Sequence, residues 1–139
     1  MTELSCTISR TINAPAEDVF NAWLDPVMLA KFMLPGEGVT VPKATADPRE
    51  GGRFDILMVG EKELPHGGVY QVIKPHSQLV FTWESPFSVD GSTVTLDFEQ
   101  VAGGTNITLT QVKFLDEQMR DNHVSGWTRI LKVLDEVVG

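Results

Sequence analysis

The sequence predicts an α+β fold in which an antiparallel sheet of seven strands is covered by one long C-terminal helix, with two short helices after the first strand. Three observations predict it. Apolar and polar residues alternate along seven separate stretches, the mark of strands with one face buried. The last six of these follow one another through short turns rich in Gly, Pro, Asp and Ser, as antiparallel neighbours do. The only long run of apolar residues at helical spacing is the final one, so it alone can cover the greasy face of such a sheet.

The first strand runs over residues 4–12, with Leu4, Cys6, Ile8 and Ile12 on one face and Ser5, Thr7, Ser9 and Thr11 on the other. Arg10 interrupts the apolar face and needs a carboxylate partner if it is buried. Asn13-Ala14-Pro15 ends the strand, since proline cannot donate to a central ladder. A helix opens at Ala16-Glu17-Asp18, with its acidic groups where the helix dipole favours them. Val19, Phe20, Trp23 and Leu24 form its buried stripe. Asp25-Pro26 interrupts it, because a residue before proline avoids the helical region. A second short helix covers 27–32, packing through Met28, Leu29 and Phe32.

A strand over 39–46 carries Pro42, which points to an edge or a bulge. After the turn at 47–52, Phe54, Ile56 and Met58 alternate in the third strand. Residues 60–65 read as a charged hairpin loop, followed by a strand over 68–73 and a turn over 74–77. Leu79, Phe81 and Trp83 mark the next strand, and Val94, Leu96 and Phe98 the one after a loop over 85–91. Gly103-Gly104 is a hairpin signal leading into the last strand, with Ile107 and Leu109 inward. The long helix spans 117–138, with Met119, His123, Trp127, Ile130, Leu131 and Leu134 recurring at steps of three and four.

The chain has 139 residues, which predicts one domain over 1–139. Its charge is −8, with 11 basic residues scattered singly among 19 acidic ones. Nucleic acid and anionic membranes both call for clustered Lys and Arg, so neither is an expected partner. The lone Cys6 excludes an internal disulfide and fits a reducing compartment as a small buried hydrophobe. Met1 is followed by Thr2 and Glu3 rather than a basic-then-apolar leader, and no apolar run approaches the roughly 18 residues of a membrane span. A cytoplasmic protein is expected, as a monomer or a homodimer. There is no Cys or His pair at ligand spacing, no phosphate-binding glycine loop and no GxSxG elbow, so no metal or cofactor is expected.

Several motifs occur in order along the chain. They are Arg10 with Ala14-Pro15-Ala16, Val19-Phe20, Ala22-Trp23 and Asp25-Pro26, then Gly51-Gly52-Arg53-Phe54 and Gly68-Val69-Tyr70. Leu79-Val80-Phe81-Thr82-Trp83, Val94-Thr95-Leu96 with Phe98, Gly103-Gly104-Thr105, and His123 with Gly126-Trp127 follow. This series resembles the activator of Hsp90 ATPase homologue 1-like family, within the START/Bet v 1-like (SRPBCC) superfamily. The resemblance implies a helix-grip fold, a curved seven-stranded antiparallel sheet wrapped around the C-terminal helix. Relatives in the wider group include lipid and hormone binders, cyclase-like enzymes and a co-chaperone domain. Many relatives carry a glutamate just before the isoleucine of the fourth strand, where this chain has Val72, which implies a pocket lacking that carboxylate if the position faces inward.

Trp23, Phe32, Met58, Tyr70, Phe81, Trp83, Phe98, His123 and Trp127 fall on the inward faces; each taken alone fits plain core packing, and as a set they are the expected lining of an apolar cavity. His123, one turn before Trp127, is its polar candidate, read as a core histidine hydrogen-bonded to backbone or Tyr70, or else as a ligand hydrogen-bonding group or a general base. His66 and His76 read as surface residues beside loops. Gly126 in mid-helix suggests close approach of a backbone or a ligand. The reading drawn is a binding domain for a small apolar or aromatic molecule. Two alternatives stand beside it: a protein-interaction module with a chaperone partner, and a cyclase- or lyase-type enzyme using His123 and Tyr70.

Overall fold

The computed structural model describes residues 4–139, so the polar opening Met1-Thr2-Glu3 lies outside the described residues. The elements are β1 (Ser5–Ile12), α1 (Ala16–Ala22), α2 (Pro26–Phe32), β2 (Thr40–Ala46), β3 (Arg53–Val59), β4 (Glu63–Lys74), β5 (Gln78–Thr82), β6 (Thr93–Val101), β7 (Gly104–Val112) and α3 (Glu117–Val138). They form one seven-stranded sheet in the order β1-β7-β6-β5-β4-β3-β2, antiparallel throughout. Strands β1 and β2 are consecutive in sequence yet lie on opposite edges. Helices α1 and α2 carry the chain between them, and α2 packs against both β2 and α3.

Helices α2 and α3 start where the sequence supplies a side-chain cap, whereas α1 opens after Pro15 without one. Asp25 accepts the Val27 N–H at 2.9 Å, with Pro26 in the first helical position, where its missing N–H costs nothing. Asp116 accepts the Met119 N–H at 2.9 Å and opens α3. At the far end of α3, Asp135 sits where the helix dipole disfavours an anion. It is compensated by Arg10 of β1, whose Nε and Nη2 both lie 3.1 Å from one carboxylate oxygen, while Asn13 N–H donates to the other at 3.2 Å. The interruption of the apolar face at Arg10 is thus a clamp between β1 and α3.

The concave face of the sheet and α3 share one core. Trp127, Ile130, Leu131 and Leu134 descend from the helix onto Phe81, Leu96 and Leu109 of the sheet, all of them buried. Pro42 lies on edge strand β2 at a register shift between Thr40 and Lys43, as its chemistry requires.

The sheet departs from expectation at β4. The strand begins at Glu63, and only Gly60–Lys62 remain as the turn, closed by Gly60 N–H to Lys62 O at 3.2 Å. Pro65 is therefore inside a strand, opposite Leu57. The reason is parity. Gly67 N–H points away from β3 to Glu84 O at 2.9 Å, so the absent N–H of Pro65, two residues earlier, falls on that same side. Pairing with β5 starts only at Tyr70, and nothing on that side needs the proline's hydrogen.

Candidate functional site

A pocket of about 570 Å³ opens at one end of the molecule, where the N-terminal half of α3 stands away from the β3–β4 hairpin. Its floor is aromatic. Trp83, at the end of β5, and Trp127 of α3 have ring centroids 4.8 Å apart, and Met58 of β3 lies beside them. Phe87, from the β5–β6 loop and 45% exposed, and Pro35 and Val39, from the loop after α2, complete the rim. On α3 the contributors are Met119, Asn122, His123, Gly126, Trp127 and Ile130, one helical stripe. A Cβ at Gly126 would lie 3.4 Å from Pro35 Cβ, so the close approach at this glycine is to a loop side chain.

The large ring of Trp127 is fixed by a buried polar chain. Its Nε1–H donates to Gln111 Oε1 at 2.7 Å, and Gln111 Nε2 donates to Ser92 Oγ at 2.9 Å. Trp83 Nε1 is closed off from water and has no partner among the described residues. Two imidazoles face each other's neighbourhood from opposite walls. His66 Nδ1 lies 2.9 Å from Leu64 O, and His123 Nδ1 lies 2.7 Å from Met119 O. Burial pushes the His66 pKa down, opposed by its hydrogen bond to Leu64, and a charge on His123 lowers it further. Glu37, Glu61, Lys62 and Asn122 stand exposed at the mouth.

Of the nine residues expected to line a cavity, Met58, Trp83, His123 and Trp127 meet in this pocket. Trp23, Phe32, Tyr70, Phe81 and Phe98 are closed into the core instead. Trp23 packs edge-to-face on Phe32 at 4.9 Å, Phe81 on Phe54 at 5.2 Å, and Phe98 on Phe20 at 5.2 Å. The Tyr70 hydroxyl donates to Trp23 O at 3.0 Å, and burial pushes its pKa well above the usual phenol range. Tyr70 and His123 thus do not converge on one point of the pocket. Val72 faces away from the core, opposite Val80, so the carboxylate expected to be missing there is not a pocket feature.

His66 was expected at the surface and is instead half-buried in the pocket wall. The signal lay in the alternation Leu64, His66, Gly68, Tyr70, which becomes visible once the strand is carried through Pro65. Phe87 and Glu37 sit in loops, where no periodicity marks a facing direction. Among the described residues there is no cluster of three or more metal-ligating side chains. No helix there is long and apolar enough to cross a membrane.

The family model described as "Activator of Hsp90 ATPase homolog 1-like protein" matches residues 13–139. The chain belongs to this family. Its fold is that of solved Hsp90-ATPase-activator-like structures. A protein from Chromobacterium violaceum is 27% identical, with a TM-score of 0.85 and 96% of each chain covered. An AHSA1-like protein from Aeromonas hydrophila is 23% identical, with a TM-score of 0.84 over 97% of this chain and 92% of that one. A Staphylococcus aureus protein of unknown function, 17% identical, superposes with a TM-score of 0.83 over 99% and 94%. No curated protein matches the sequence. The family's helix-grip architecture is consistent with the START/Bet v 1-like superfamily and with a binding domain.

Proposed function

We propose that this chain binds a small, flat apolar or aromatic molecule in the pocket between α3 and the β3–β4 hairpin, acting as a single domain in the cytoplasm. The observation that carries the reading is the 570 Å³ pocket floored by the Trp83–Trp127 pair. Its volume lies within the range of small-molecule sites, and its walls are mainly apolar with a few polar groups. Closed cores pack to the density of organic crystals, so an open concavity of this size beside paired indoles is not a packing remainder. The protein-interaction reading lacks a comparable feature. Among the described residues the exposed large hydrophobics, Val27, Phe87, Leu115 and Val137, are spread over α2, the β5–β6 loop, the loop before α3 and the last turn of α3.

The test is a thermal-shift and dye-displacement screen of aromatic compounds on the full chain. A ligand at 100 times its Kd stabilises the native state by about 2.7 kcal/mol, which moves the melting temperature by several degrees. The reading expects a dye to brighten in the native protein and to be expelled by such a ligand. If the native protein takes up neither dye nor aromatic compound, the pocket reading is lost.

A further inference from the structure

The two imidazole nitrogens left without a partner in the pocket wall are both acceptors, and this sets the ligand's chemistry. A carbonyl oxygen can only accept, so the short contacts to Leu64 O and Met119 O place the hydrogen of each neutral imidazole on Nδ1. The Nε2 atoms of His66 and His123 are then lone-pair acceptors. Neither has a partner among the described residues, and neither is closed off from water. The indole donors that could have balanced them are not available: Trp127 N–H is spent on Gln111, and Trp83 N–H is sealed in the wall. The donors of Lys62 and Asn122, like the carboxylates of Glu37 and Glu61, stand in solvent at the mouth.

We infer that the pocket selects aromatic molecules whose head donates a hydrogen bond, an aryl hydroxyl or aryl amine, received by Nε2 of His66 or of His123. This rests on the proposed pocket and adds the class of ligand to it. An acceptor-only head, such as an ether, would leave two half-buried lone pairs without hydrogens and gains nothing there. A donor head supplies a hydrogen to one of them while its ring lies on the Trp83–Trp127 floor. The two imidazoles come from different elements, β4 and α3, and both line this one pocket.

The experiment compares 2-naphthol with 2-methoxynaphthalene by titration calorimetry in mildly alkaline buffer, where imidazoles are neutral. One net hydrogen bond predicts that the naphthol binds roughly three- to tenfold tighter. In the His66→Phe/His123→Phe double variant that preference should vanish while the ether still binds, which also shows that the variant retains a folded pocket. Should the variant fail to fold, the single variants His66→Phe and His123→Phe replace it, and at least one of them should lose the preference. Equal affinities in the native protein, or a preference that survives loss of both imidazoles, overturns the donor-head inference and leaves the pocket standing. Binding of neither compound overturns the pocket reading and the inference with it.

Discussion

Gln111 is a buried polar side chain in the middle of β7, and its place is explained by two partners, the Trp127 N–H and the Ser92 hydroxyl. Removing it leaves a buried donor without an acceptor, which costs more than the hydrogen bond itself is worth. Gln111→Leu is expected to lower stability by about 1–3 kcal/mol in urea unfolding, and Trp127→Phe in that background should cost less than Trp127→Phe alone. His66 makes a pH prediction. Its folded pKa lies below the ordinary value of 6.5, so the folded state holds the proton more weakly than the unfolded chain. The contribution to stability is then complete above that unfolded value and is lost as pH falls through it toward the folded pKa. Unfolding midpoints measured across mildly acidic pH should fall with acid more steeply in the native chain than in His66→Phe. Of the groups facing this ring across the pocket, which include Glu37, Glu61 and Lys62 at the mouth, His123 adds to the loss when it is charged.

The crossing of β4 and β5 shows at the scale of elements how one missing side chain permits a fold. A Cβ on Gly68 would run into the carbonyl of Thr82 and the ring of Phe54, because β4 and β5 approach closely just before the register shift that follows Tyr70. Gly68→Ala is expected to destabilise by roughly 1–3 kcal/mol, the usual cost of forcing atoms into a packed site. Gly38→Ala offers the contrast: its Cβ meets open space, and only its φ of 78° is unfavourable. Thermal unfolding should place Gly68→Ala well below Gly38→Ala, and equal losses would show that the strand crossing is not the constraint. Most elements were legible in the sequence because they carry a clean period: α3 over 117–138 and the alternation of β3 and β6 appear where expected. The start of β4 was not legible, because Pro65 is a breaker by itself and becomes harmless only where no strand pairs on its far side.

At the scale of the molecule the aromatic residues divide into a core and a pocket, and the two populations should answer mutation differently. Phe81 is 2% exposed and touches Trp23, Phe54 and Tyr70, whereas Phe87 is 45% exposed at the pocket rim. Phe81→Ala is expected to cost about 3–5 kcal/mol, with any loss of ligand binding following from unfolding. Phe87→Ala should leave stability within about 0.5 kcal/mol and weaken binding of aromatic probes severalfold. Denaturant titration together with probe binding on both variants checks the division, and a Phe87→Ala variant that binds as well as the native chain would remove the loop from the site.

By itself the sequence determined the α+β class, the order of elements, the clamp need of Arg10 and the amphipathic stripe of α3, because each follows from the spacing of neighbours along one element. It also determined the family, through motifs carried in order from Arg10 to Trp127. Which inward aromatics face empty space was decided only in three dimensions. Met58 and Phe54 share one face of β3, yet Met58 reaches the pocket and Phe54 is packed under Tyr70 and Phe81. A strand's period tells inside from outside, but the gap between α3 and the β3–β4 hairpin depends on how far two distant elements diverge. No local pattern encodes that distance, which also brings His66 and His123 into the lining of one pocket.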